Sequence, residues 1–124
     1  MKVLDTTELL ERLSGDTELL AEVVVLFLED CPDRVRAIDA AVRLGDPAEI
    51  RAAAHALKGA AGNMFAHRLF SAAAALEQLA EAGEMAAVPT TFDRLKAEVD
   101  ELLPVLRSPL ALTPMPASRS GGGA

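Results

Sequence analysis

The chain is predicted to be all-α: an antiparallel four-helix bundle with a short additional helix at its N-terminus. Three observations carry this expectation. Apolar residues recur at helical spacing through most of the 124 residues. No alternating apolar run and no Asn-Gly or Asp-Gly turn signals a hairpin. The helical stretches are separated only by short Gly, Pro and Asp breaks, and short connections make consecutive helices antiparallel neighbours.

The elements follow in order. Asp5 and Glu8 have capping-box spacing and open a short helix through about Arg12. Ser14-Gly15-Asp16 is a break, and Asp16 or Ser14 caps the next helix. There Leu19, Leu20, Val23, Val24 and Phe27 form a broad stripe expected to be buried. Pro32 has no N–H to donate and is expected to kink or divide this helix before it resumes with Val35, Ile38 and Val42 and stops at Gly45. Asp46-Pro47-Ala48-Glu49 is the clearest start signal, with an N-cap, a proline at the first helical position and an acid two residues on. That helix runs to about Met64.

A connection near Ala66 leads into a helix from Arg68 to Ala82, with Leu69, Ala72, Ala73, Leu76, Leu79 and Ala80 inward and Gly83 ending it. The last helix begins between Glu84 and Thr91 and carries Phe92, Leu95, Val99, Leu102 and Leu106, with Pro104 expected to fray or bend its final turn. The bundle thus covers residues 1–107. Residues 108–124 hold three prolines, a run of three glycines and a single charged side chain, the composition of a disordered tail.

Composition excludes several functions. The formal charge is −7, with 19 acidic against 12 basic residues and no Lys/Arg cluster, so the face needed to replace counterions on nucleic acid is missing. No stretch is long and apolar enough to span a bilayer, and no signal peptide follows Met1. The single cysteine, Cys31, forms no internal disulfide, in keeping with a cytoplasmic location. His55 and His67 stand 12 apart with no cysteine nearby, so no metal site is expected.

The informative segment is the helix around His55. Projected at about 100° per residue, Ile50, Leu57 and Met64 fall together on the core side, and His55 points the opposite way. Arg51, Ala52, Lys58, Gly59 and Gly62 share its face. Two glycines inside a helix each cost about 1 kcal/mol relative to alanine, so something must compensate. Gly59, one turn after His55, leaves open space over the imidazole, and Lys58 at i+3 brings an ammonium within reach of whatever His55 carries. A compact cation beside an exposed imidazole stripped of bulky neighbours suits a phosphoryl group offered to a large partner.

The run His55-Ala56-Leu57-Lys58-Gly59-Ala60-Ala61-Gly62-Asn63-Met64 closely resembles the signature of histidine-containing phosphotransfer (HPt) domains: His-x-Leu-Lys-Gly, small residues, then often Asn and an apolar residue. Leu4-Asp5, the stretch from Gly15 to Leu20, Gly45-Asp46 and Leu76-Glu77-Gln78-Leu79 also fall where such domains have similar segments, so the resemblance covers roughly residues 3–107. One departure is Phe65, where the family usually has Gly.

The resemblance implies that His55 is the phosphoacceptor, that Lys58 stabilises the phosphoryl group and that Gly59 gives the partner clearance. Arg51, Gly62 and Gln78 are secondary candidates. The implied partners are receiver domains of response regulators or hybrid sensor kinases. The protein itself needs no cofactor, because the Mg²⁺ chemistry belongs to the receiver, and it is expected to act as a monomer. Two other readings compete: a helical interaction module that binds receivers or kinases without carrying phosphate, and the phosphoacceptor fragment of a larger histidine kinase.

Overall fold

The computed structural model describes residues 2–108, so the expected tail beyond Ser108 lies outside the described residues. Within them the chain forms α1 (Thr6–Arg12), α2 (Thr17–Leu44), α3 (Pro47–Asn63), α4 (His67–Ala82), a 3₁₀ turn (Met85–Ala87) and α5 (Val88–Arg107). The caps are those that the sequence advertises. Asp5 accepts from the Glu8 N–H at 2.9 Å, Asp16 from Leu19 at 3.0 Å, and Asp46 from Ala48 and Glu49 at 3.1 and 3.3 Å. Each such cap is worth about 1 kcal/mol. Gly45 and Gly83 close α2 and α4 in the left-handed conformation, with φ of 67° and 73°, where a Cβ would be strained.

α3 is the central helix. It packs on α4 and on α2, while α5 packs on α4 and α2 and so closes the four-helix ring. Ile50, Leu57 and Met64 are buried, as the wheel requires, in one core with Leu69, Leu76, Leu95 and Leu102. Ala54 and Ala61 of α3 and Ala72 and Ala73 of α4 are fully buried. Alanine at these facing positions lets the two helices approach closely, which brings α4 side chains within reach of the His55 helix.

Three expectations are corrected. Pro32 does not divide α2, which is one 28-residue helix. The proline forfeits one backbone bond, but Phe27, Cys31 and Ile38 flank it on the buried face and hold the helix together from outside. Pro104 likewise does not fray the final turn of α5, because Leu106 beyond it is buried. Leu19 lies at the rim of its stripe and is 39% exposed, so the stripe that enters the core is Leu20, Val24 and Phe27.

The α3–α4 turn shows how the chain accommodates Phe65. Its φ is 57°, a left-handed value that a glycine would adopt freely. The turn is a Schellman motif, with the Phe65 N–H donating to Gly62 O at 3.1 Å and the Ala66 N–H to Ala61 O at 3.0 Å. The conformation is held from three sides. The Phe65 carbonyl accepts from the Asp5 N–H at 3.1 Å, its ring packs on the core, and the His67 ring lies edge-on at 6.1 Å. His67 Nε2 in turn lies 2.7 Å from Glu8 Oε1, so α1 is fastened to the turn that follows the His55 helix. Arg68 fastens the start of α4 to α5 through Glu98 at 2.9 Å and Glu101 at 3.0 Å.

Candidate phosphoacceptor site

His55 stands mid-way along α3 with its side chain 64% exposed. Its Nδ1 lies 2.9 Å from Oε2 of Glu77 on α4. The other carboxylate oxygen, Oε1, lies 2.8 Å from Nζ of Lys58. Glu77 therefore joins the two α3 residues that the sequence singles out. An ionised carboxylate has no proton to give, so Nδ1 carries the hydrogen and donates it. That tautomer leaves the lone pair on Nε2, the nitrogen that faces away from Glu77.

The electrostatics of the trio follow from its geometry. The Lys58 ammonium is the main reason that the Glu77 carboxyl is held below the usual carboxylate range. Partial burial opposes this, and the hydrogen bond from His55 assists it. Glu77 and Lys58 are only 15% and 26% exposed, so their attraction is less screened than that of an ordinary surface pair.

The remaining candidates divide clearly. A Cβ built on Gly59 would meet nothing within 4 Å, so the space beside His55 is open. A Cβ on Gly62 would come within 3.3 Å of the Phe70 ring, so that glycine accommodates a neighbouring side chain. Arg51 is exposed on the His55 face, one turn before it, and makes no ion pair among the described residues. Gln78 makes no side-chain hydrogen bond to His55 or Lys58 among the described residues. It lines a depression between α4 and α5 with Ala75, Leu79, Glu84 and Thr91.

Glu77, one residue earlier, takes the place next to His55, because a single step turns a helical side chain by about 100°. The signal for it was present: Glu77 is four residues after Ala73 and three before Ala80, both on the inward face of α4.

On the α2 side of α3 lies a shallow apolar depression lined by Val23, Leu26 and Phe27 of α2 and Ala60, Asn63 and Met64 around the end of α3. Leu26 on its rim is 64% exposed. Cys31 plays no part: it is fully buried, and burial pushes its thiol up to about 11. His67 is not the isolated histidine that its sequence position suggests, since the fold brings it next to Asp5 and Glu8, with ligand-type atoms of all three within 4.8 Å of one another. No helix among the described residues is long and apolar enough to cross a membrane.

The class of protein that combines a helical bundle with an exposed imidazole, a carboxylate bonded to it and a lysine beside it is the histidine phosphocarrier. The sequence profile of the Hpt domain family matches residues 22–104, and the chain belongs to that family. Its fold is similar to the crystal structure of histidine-containing phosphotransfer protein B (HptB) from Pseudomonas aeruginosa PAO1, with a TM-score of 0.79 and 26% sequence identity over 85% of this chain and 91% of that one. A search of curated protein sequences gave no match. Membership makes the protein a phosphocarrier of phosphorelay signalling and not a catalytic enzyme.

Proposed function

We propose that Nε2 of His55 accepts a phosphoryl group from the phospho-aspartate of a receiver domain and passes it to the aspartate of another receiver. In the forward step a P–N bond forms at Nε2 while the P–O bond to the receiver carboxylate breaks, and that carboxylate leaves as the anion. No proton needs to leave Nε2, whose lone pair attacks. The ring gains positive charge as it does so, and Glu77, already hydrogen-bonded to Nδ1, offsets that charge. Lys58 is placed to turn from Glu77 to the phosphoryl oxygens. The observation that carries this reading is the double engagement of Glu77, which sets the tautomer of His55 and stations Lys58 beside it.

The receiver supplies the Mg²⁺ and the acidic residues, and this chain supplies an aimed nucleophile. For transfer, the receiver has to seat over Gly59, and the apolar depression at Leu26 gives its docking surface an anchor on the α2 side. Arg51, at the other end of the face, adds positive charge towards an acidic partner. A single bundle is sufficient for this role, which supports a monomer, and membership of the Hpt family supports a cytoplasmic location.

Incubation with a panel of phosphorylated receivers tests the proposal. The expected product carries an acid-labile, base-stable label on His55, absent from a folded His55→Gln variant. Labelling that persists in His55→Gln would overturn the assignment.

A further inference from the structure

Gly62 and Phe70 are explained neither by the core nor by clearance for a receiver. Gly62 lies seven residues after His55 and four after Lys58, so the three share one face of α3. A helix-interior glycine facing open space would resemble Gly59. Gly62 differs, because atoms Cδ2 and Cε2 of the Phe70 ring lie 3.3 and 3.4 Å from where its Cβ would be. The ring fills the volume that the missing side chain vacates. Phe70 itself is 40% exposed, so core burial alone does not account for its place.

The Lys58 ammonium lies 6.0 Å from the centroid of that ring. This is the outer limit of a cation–π contact, so the ring acts chiefly by volume. It occupies the C-terminal side of Lys58, the side away from His55. With that side closed, the lysine is directed back towards Glu77, where its ammonium is found at 2.8 Å.

We infer that Phe70, seated on Gly62, is a positioning residue for phosphoryl transfer: it walls in Lys58 so that the ammonium is held at the His55 end of the helix. The inference rests on the proposed reading of His55 as phosphoacceptor and Lys58 as its electrostatic support. Lysine has more rotamer freedom to lose than almost any other side chain, and removing conformers that point away from the phosphoryl group lessens the entropy lost in the transition state. Gly62 is then required by the ring that rests on it.

The test is the rate of phosphoryl transfer from a phosphorylated receiver, measured over a range of receiver concentrations, with melting temperature on the same samples. Phe70→Ala is expected to lower the maximal rate roughly three- to tenfold, the range that corresponds to freeing part of a lysine's rotamer entropy. The half-saturating receiver concentration should be unchanged, and Phe70→Tyr should restore the rate. In a Lys58→Ala background, Phe70→Ala should have no further effect, because the residue through which it acts is gone. If Phe70→Ala proves too unstable, Phe70→Leu carries the same test, since it removes part of the ring's volume beside Lys58 while keeping an apolar side chain over Gly62.

An effect of equal size with and without Lys58, a change confined to half-saturation, or a wild-type rate in Phe70→Ala would each overturn the inference while leaving the phosphocarrier reading intact. Failure of the wild type to take label on His55 would overturn that reading, and this inference with it.

Discussion

Glu77 Oε2 lies 2.9 Å from Nδ1 of His55, joining residues 22 apart in the chain and leaving Nε2 as the ring nitrogen that faces away from the carboxylate. Removing the carboxylate should therefore impair chemistry more than folding. A hydrogen bond involving a charged group is worth about 1.5–3 kcal/mol, so Glu77→Ala is expected to slow transfer roughly ten- to a hundredfold. Glu77→Gln keeps an acceptor for Nδ1–H but loses the charge, and its rate should fall between the two. Transfer kinetics on the three proteins check this, and a wild-type rate in Glu77→Ala would refute the orienting role.

The same clasp has a signature in pH. Lys58, more than His55, holds the Glu77 carboxyl below its usual range, so the folded state favours the ionised form. A depressed folded pKa adds stability that is fully present above the unfolded carboxylate's value and is lost as pH falls through the folded one. The stability that the Glu77–Lys58 attraction gives wild type over Glu77→Gln should accordingly be lost in acid, as pH falls below the ordinary carboxylate range. A melting-temperature gap that widened as pH fell below the ordinary carboxylate range would have the wrong sign.

Lys58→Ala should slow transfer on a comparable scale while leaving helix content by circular dichroism unchanged, since the side chain lies at the surface edge of α3. Lys58→Arg keeps the charge but should recover only part of the rate, because a planar guanidinium needs different room between Glu77 and Phe70. Unaltered kinetics in Lys58→Ala would reduce the lysine to a counter-ion for Glu77.

At Gly59, stability and function should move in opposite directions. Nothing lies within 4 Å of a Cβ there and the backbone is helical, so Gly59→Ala should stabilise the fold by about 0.4–1 kcal/mol. Gly59→Gln should melt no lower than wild type, yet its side chain fills the space that the receiver enters. Its transfer rate should fall well below that of Gly59→Ala. Melting curves and transfer assays on the same samples test both halves.

Phe65 provides the converse case. Its φ of 57° penalises any side chain, so Phe65→Gly should be more stable than Phe65→Ala by about 1–2 kcal/mol, although glycine is the poorer helix former. Comparing those two variants cancels the loss of the ring, which is common to both. Equal melting temperatures would mean that the turn relaxes out of the left-handed region once the ring is gone.

The sequence by itself determined the helices, their caps and the aim of His55, because each rests on local chemistry. Asp46 followed by Pro47 starts α3 wherever it packs, and the 3.6-residue period that buries Ile50, Leu57 and Met64 necessarily turns His55 outward. Lys58 and Gly59 were legible for the same reason, since residues three and four apart on a helix are always neighbours. What only the tertiary structure decided is how α4 meets α3. A helix wheel has no phase relative to its neighbour until the two are packed, and one residue of phase separates Glu77, which grips His55 and Lys58, from Gln78, which faces the α5 side. The same limit hid Phe70 over Gly62, and Glu8 beside His67. The continuity of α2 through Pro32 was decided there too, because the burial of Phe27, Cys31 and Ile38 outweighs a local loss that the sequence shows alone.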